Sequence, residues 1–272
     1  MDGILSKDDY EEPRCLLNMH PEVTPIPVGR IIDKLDSYLN KNDYDAAERH
    51  LKYWLNEADT CNDMHGKLTM LNEQIGLYRK TGKEPECLRA ISGALSLADS
   101  MDMEQSVTYG TTLINAATGY KAFGKANEAL PLYRKAQVIY ETNLKSNDAR
   151  LGGLYNNMAL TFTELEAYRE AEDLYNKAIE VMKKQENGEL EVAITCLNLA
   201  DLVAAESGLE DGAEEIEKYL SKAEELLNTE GIPKDGYYAF VCEKCAPVFG
   251  YYGYFLTEQE LNEKAREIYE RT

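Results

Sequence analysis

The sequence is short of basic residues. Its 272 residues hold 29 Lys and Arg against 49 Asp and Glu, which gives a formal net charge of −20. A chain with this charge and no basic run repels nucleic acid and anionic membrane surfaces. We therefore expect neither a nucleic-acid partner nor a membrane partner. The excess of carboxylates is itself typical of a solvated outer face.

Catalytic motifs are also missing. The sequence contains no phosphate-binding glycine loop, no G-x-S-x-G and no H-E-x-x-H. The three histidines, His20, His50 and His65, all fall in the first quarter of the chain, and no pattern places one beside a nucleophile. Acidic pairs such as Glu214-Glu215 are ordinary exposed helix residues. We predict that the protein is not an enzyme and that it uses no cofactor.

Long apolar runs and targeting patterns are absent as well. The first residues show no basic start followed by an apolar segment, so they are not a signal peptide. No stretch approaches the ~18 consecutive apolar residues of a membrane span. The six cysteines are scattered and mostly fall on helical core positions, which fits a reducing compartment. We expect a cytoplasmic protein.

What the chain does have is an internal repeat of about 42 residues. The segment 154–162, Leu-Tyr-Asn-Asn-Met-Ala-Leu-Thr-Phe, occupies the same place in its unit as 113–120 does one period earlier. Each is followed by a second segment in which small and aromatic residues recur at helical spacing. A fixed period of this length predicts a stacked repeat architecture that presents a long surface to a partner.

Each repeat is predicted to be a pair of helices. Small or apolar residues recur in the first helices where two helices approach closely, at Leu35, Ile75, Ala117, Ala159 and Ala200. Glycines such as Gly82 and Gly124 end first helices. The predicted helices are 28–40, 44–59, 63–81, 84–99, 103–123, 126–145, 147–165, 168–185, 188–207, 210–228, 236–255 and 258–271.

The alternation of small and aromatic positions resembles the tetratricopeptide repeat (TPR). The period is longer than the ~34 residues of the common TPR, and the phrase at 154–159 resembles the kinesin light chain type of TPR. The resemblance covers about 28–272 and implies an all-α, right-handed α-solenoid, a TPR superhelix of about six helix pairs. Residues 1–27 stand outside the repeats. Their four prolines predict an extended or disordered arm, with the alternative that it lies along the protein as an internal peptide.

Asparagines recur at one place in three successive first helices, at Asn115, Asn157 and Asn198. The TPR resemblance implies that this place faces the concave groove and grips the backbone of an extended peptide. An amide side chain offers both a donor and an acceptor, so it can pair with any peptide unit. Asn72 and Asn156, one residue earlier in their helices, could add to this row. The alternative is that the asparagines only bond neighbouring repeats to each other.

Two cations share a place in adjacent units, Arg79 and Lys121, which the resemblance also turns inward. They could receive a carboxylate of a partner, or they could pair with nearby Glu and Asp. The predicted peptide-binding residues are Asn72, Arg79, Asn115, Thr118, Lys121, Asn156, Asn157 and Asn198.

The C-terminal part holds two further features. Cys242 and Cys245 form a C-x-x-C pair that could be core residues, a redox pair or half of a metal site. The aromatic stretch 237–255 is too evenly spread to be buried on one face, so part of it could line a ligand pocket or a self-association surface, which makes a homodimer plausible.

The predicted function is a non-enzymatic scaffold that holds an extended peptide or partner segment in the concave groove. A second hypothesis is a peptide-sensing regulator similar to bacterial TPR regulators. Those carry an N-terminal effector module, for which residues 1–27 are too short. A third, less favoured hypothesis is a small-molecule enzyme that uses the aromatic stretch.

Overall fold

Residues 24–271, which a computed structural model of the chain describes, form twelve α-helices and no strands. The helices alternate as first and second members of six pairs. They are α1 Val28–Leu39, α2 Tyr44–Thr60, α3 Met64–Lys80, α4 Glu84–Ser100, α5 Val107–Ala122, α6 Ala126–Asn143, α7 Ala149–Glu164, α8 Tyr168–Met182, α9 Glu189–Asp211, α10 Ala213–Leu227, α11 Gly236–Tyr251 and α12 Phe255–Arg271. The predicted all-α repeat solenoid is therefore confirmed.

The small residues of the repeat lie where two helices meet. Ala117 and Ala159 are fully buried, as are the aromatic residues Tyr133 and Tyr175 in the second helices. Gly119 shows how close the approach is, because a Cβ atom there would lie 2.8 Å from Cδ1 of Ile91. The alternation of small and large side chains thus lets the helices interdigitate at interior packing density.

The turns between helices follow one design. Nearly every helix is followed by a residue with positive φ, and in the first helices this place falls at Gly82, Gly124, Glu166 and Gly208, each 42 residues after the last. The next amide then donates to a carbonyl five residues back, as from Lys83 N to Tyr78 O at 2.9 Å. This is the Schellman turn, which satisfies the last carbonyls of a helix.

The array divides where this turn is missing. Two compact units are present, Met1–Leu144 and Lys145–Thr272, and the boundary falls after α6. Leu144 has an extended backbone (φ −101°, ψ 156°) in place of a left-handed residue. The first unit contains α1 to α6 and the second contains α7 to α12.

Helix α9 is the longest helix of the second unit and is largely apolar. By length and composition alone it could cross a membrane, with a mean hydropathy of 1.4 over its best 18-residue window. Polar residues such as Asn198 and Asp201 interrupt this window, so it is not a run of consecutive apolar residues. Half of that window is buried, in a core shared with α10 and α11, and Gly208 kinks the helix near its end with φ of 82°. A packed core helix passes the same compositional test.

The start of α5 and the ends of α9 and α11 each differ from the predicted boundary by four residues. Helix α5 begins at Val107 because the Ser106 hydroxyl accepts a hydrogen bond from Tyr109 N and caps it there. Helix α11 ends at Tyr251 because the left-handed Gly253 turns the chain into α12.

The predicted arm is described only for residues 24–27, which have no regular structure. Ile26 is buried, and its amide donates to Asp63 Oδ2 at the start of α3. The amide of Thr24 donates to Cys61 O. These two hydrogen bonds fix residues 24–27 against the α2–α3 turn, and residues 1–23 lie outside the described part of the chain.

Candidate functional site

In the first unit, the predicted asparagines bond to each other between two first helices. Asn72 of α3 donates to Thr112 Oγ1 of α5 at 3.1 Å and to Leu68 O of its own helix at 3.0 Å. Its oxygen accepts from Asn115 Nδ2 at 3.0 Å. All three side chains in this cluster are buried. Both N–H groups and the oxygen of the Asn72 amide are thus hydrogen-bonded inside the fold. This fits the alternative that the asparagines bond neighbouring repeats to each other.

The second unit repeats this arrangement between α7 and α9. Asn156 Oδ1 accepts from Asn198 Nδ2 at 3.0 Å and from Thr195 Oγ1 at 3.3 Å. Each junction therefore uses an asparagine from one first helix, and a threonine and an asparagine three residues apart on the next. Here, however, Asn156 and Asn198 are only half-buried, so the amide edges of this cluster reach the surface.

Asn157 stands apart from the cluster. Its side chain is half-buried and makes no hydrogen bond to any other side chain or backbone group of residues 24–271. Asn198 keeps one N–H and its oxygen after bonding to Asn156. The second unit therefore offers amide groups that an incoming backbone could use.

Glu73 occupies the place in α3 that Asn115 and Asn198 occupy in α5 and α9. It is 4% exposed, and its Oε1 is buried without a hydrogen bond partner. Burial, with the nearby Asp36 carboxylate adding to it, raises the pKa of Glu73 to about 8. Glu73 is not among the predicted site residues, although aligning the repeats places it in register with the asparagines.

An open groove of about 500 Å³ lies between α9 and α11 in the second unit. It is mostly apolar, and its lining includes Leu209, Pro247, Tyr251 and Tyr252 as well as one carboxylate, Asp201. Leu209 is 53% exposed and Tyr251 is 69% exposed, so both apolar surfaces face water. Such exposed apolar area, bordered by polar groups, is typical of interaction sites.

Tyr237 of α11 and Tyr252, the residue after α11, each bond to a carboxylate of α9. The Tyr252 hydroxyl donates to Asp201 Oδ1 at 2.8 Å, and the Tyr237 hydroxyl donates to Glu191. Burial raises the pKa of Asp201, and the Tyr252 hydrogen bond offsets part of that rise. The second oxygen of Asp201 remains for another donor, since one carboxylate can accept several hydrogen bonds.

Solved structures of TPR-like repeat proteins resemble this chain. BtubC (BKLC) from P. vanneervenii matches 76% of this chain and 83% of its own, with a TM-score of 0.64 and 18% identity. A kinesin light chain-like protein from Podosopora anserina with nearly identical TPR-like repeats matches 74% of this chain and 94% of its own, with a TM-score of 0.54 and 16% identity. The chain has the TPR fold. At this identity the likeness concerns the TPR fold alone, and the sequence matches no family model and no curated protein.

The remaining predicted site residues of the TPR array lie at the ends of first helices in the first unit. Thr118 is buried, and its hydroxyl bonds the Tyr133 hydroxyl of α6 at 2.9 Å. Arg79 and Lys121 are half-buried near the ends of α3 and α5, and neither is without an interaction in the fold. Among the eight predicted residues, hydrogen bonds join two pairs, Asn72 with Asn115 and Asn156 with Asn198. The other four, Arg79, Thr118, Lys121 and Asn157, lie outside these pairs.

The cysteine pair of α11 lies in the core of the second unit. Cys242 and Cys245 are free thiols with 0% and 1% exposure. Burial raises the pKa of both thiols, to about 12 for Cys245. Thiols of this kind are poor nucleophiles and poor metal ligands. Across residues 24–271, no cluster of His, Cys, Asp and Glu could hold a metal ion.

The aromatic stretch divides between core and surface. Tyr238 and Phe249 are buried, while Tyr251 and Phe255 are exposed. Helix α12 covers the end of the array with only Leu261 and Ala265 buried, as a polar capping helix should. Part of the aromatic stretch, Tyr251 and Tyr252, thus lines the open groove. Its role in a ligand pocket or a self-association surface stays a prediction.

Proposed function

We propose that this TPR protein is a non-enzymatic scaffold that holds an extended segment of a protein partner along the first helices of its repeats. We also propose that it acts in the cytoplasm, where its free cysteines stay reduced. The single observation that supports binding most directly is the second unit's open groove beside half-buried asparagine amides.

The open groove and the Asn198 amide lie on the same face of α9. Asn198, Asp201 and Ala205 are spaced by three and four residues, so they lie in one row along the helix. Asn198 begins this row, and Asp201 and Ala205 line the groove. An extended segment could therefore pair its backbone with the amides and place a side chain between α9 and α11. Main-chain pairing would supply affinity, and the groove would supply selectivity.

A capture experiment with three variants tests this proposal. Asn157→Ala removes an amide that has no bond within the described chain, so folding should be unchanged, within about 0.5 kcal/mol. Asn156→Ala removes the acceptor of two hydrogen bonds and should cost about 1–2 kcal/mol of stability. Asn127→Ala, at an exposed place in α6, is the matched control.

The readout is a partner captured from native lysate, with thermal melting of each variant measured in parallel. A partner that is lost with Asn157→Ala but kept with Asn127→Ala supports peptide binding by the amides. If Asn157→Ala still captures every protein that the wild type captures, the amides of the second unit do not bind the partner and the proposal is wrong. The result with Asn156→Ala does not change that conclusion.

A further inference from the structure

The acidic charge of the chain is concentrated in the second unit. Residues 145–272 hold 13 Lys and Arg against 27 Asp and Glu, a net charge of −14 out of the total of −20. Within residues 185–217 there are 10 acidic residues and no Lys or Arg. This stretch covers the whole of α9 and the start of α10. The field at the groove is therefore negative.

Acidic and apolar groups are mixed at the groove itself. Asp201 forms part of its wall, and Glu206 and Glu210 are exposed on α9 on either side of Leu209. Tyr251 presents an exposed ring across from them, on α11. Because like charges placed together are costly, an acidic occupant would be disfavoured here.

We propose that the α9–α11 groove binds a basic, apolar peptide segment, with an apolar side chain between Leu209 and Tyr252 and a lysine or arginine at Asp201. This inference rests on the proposed function and adds the chemistry of the partner. Asp201 offers its second oxygen to the cation, since Tyr252 bonds only Oδ1.

The exposed Tyr251 ring adds a reason for arginine in particular. A guanidinium plane can stack on an aromatic face while it donates to the second oxygen of the Asp201 carboxylate. Lysine would supply the charge without the planar group that stacks on the ring. We therefore expect arginine peptides to bind more tightly than lysine peptides of the same design.

The test is fluorescence anisotropy with three labelled peptides that share a central pair of leucines. Their flanking residues are arginine, glutamine or glutamate. We expect the arginine peptide to bind best and the glutamate peptide worst. Added salt should weaken the binding of the arginine peptide, because salt screens the attraction between exposed charges.

Two variants locate the site. Asp201→Asn keeps an acceptor for Tyr252 but loses the charge, and it should weaken the binding of the arginine peptide by about tenfold. Ala205→Trp fills the groove from an exposed position and should weaken all three peptides. Glu260→Gln, an exposed acid on α12, is the matched control and should change nothing.

The outcomes separate the inference from the proposed function. If the glutamine or glutamate peptide binds as well as the arginine peptide and Ala205→Trp still blocks it, the groove is a peptide site but the inferred chemistry is wrong. If no peptide responds to Ala205→Trp, this groove is not the peptide site. If Ala205→Trp instead converts a dimer to a monomer in sedimentation, the occupant is a second copy of the chain.

Discussion

At the scale of the residue, the same kind of asparagine–threonine cluster joins α3 to α5 and α7 to α9, and the two clusters differ in burial. Asn72 in the first unit and Asn156 in the second both accept a hydrogen bond from the asparagine of the next first helix. Asn72 is 1% exposed, whereas Asn156 is half-buried. An amide pair away from water fixes the register of two helices, because each unmade bond would leave a buried polar group. The half-buried pair of Asn156 and Asn198 can do this while part of each amide stays exposed to water.

Glu73 shows what happens where the cluster lacks a partner. The helix before it, α1, carries Ile32 at the place that Asn72 and Asn156 hold in α3 and α7. No amide is then available from α1, and Oε1 of Glu73 is buried without a hydrogen bond. A carboxyl group in this environment keeps its proton at neutral pH, because ionisation would bury an uncompensated charge.

We expect Glu73→Gln to stabilise the protein, and to do so increasingly as the pH rises from 4.5 to about 8. Below the ordinary pKa of 4.5 the carboxyl is protonated in both states, and its contribution to stability is complete. Above it the unfolded chain releases the proton while the folded chain keeps it. Stability of the wild type therefore falls by up to about 1.4 kcal/mol per pH unit relative to the variant.

Urea unfolding of both proteins at several pH values checks this expectation. Glu104→Gln, an exposed loop acid of the same unit, is the control and should differ from the wild type by a constant amount. A stability difference for Glu73→Gln that does not change with pH would show that the carboxyl titrates normally in the folded protein.

At the scale of the element, the helix ends set the period. Glu166 is the one non-glycine residue among the four left-handed positions spaced at 42 residues, with φ of 58°. A left-handed conformation costs an L-residue roughly 1 kcal/mol, which glycine avoids. The Schellman hydrogen bond from Ala167 N to Phe162 O, at 2.9 Å, keeps Glu166 in this strained conformation.

We therefore expect Glu166→Gly to raise the free energy of unfolding by about 1 kcal/mol and Gly124→Ala to lower it by a similar amount. Both positions lie at the same place in their repeats, with no neighbour within 4 Å of a Cβ atom at Gly124. Urea titration of the two variants and the wild type measures this. Equal stabilities would mean that the backbone at these turns relaxes without cost.

Most of the helical architecture could be predicted from the sequence because small, aromatic and glycine residues mark the period directly. The beginning of α5 could not, since Ser106 competes with other residues as a cap and only packing decides between them. The candidate site was harder still. Periodicity places Asn115 and Asn157 at the same place in their helices, but only three-dimensional contacts show that the first bonds to Asn72 and the second makes no side-chain hydrogen bond within residues 24–271.

At the scale of the whole molecule, the chain is two compact units with different balances of charge. In a repeat array each helix pair is stabilised by its neighbours, so stability is local and is summed along the chain. The boundary after α6 lacks the left-handed turn that follows the other first and second helices up to α11. We therefore expect each unit to open with its own free energy.

Hydrogen exchange after a core truncation in each unit tests this expectation. Phe249 is fully buried in the second unit, and Phe249→Ala should cost about 3–5 kcal/mol there. Exchange in α9 and α11 should accelerate more than a hundredfold, while α3 and α5 change much less. Leu35→Ala, in the core of the first unit, should show the reverse pattern. Equal acceleration of all four helices by either variant would mean that the two units unfold as one, because local stability would then be shared across the whole array.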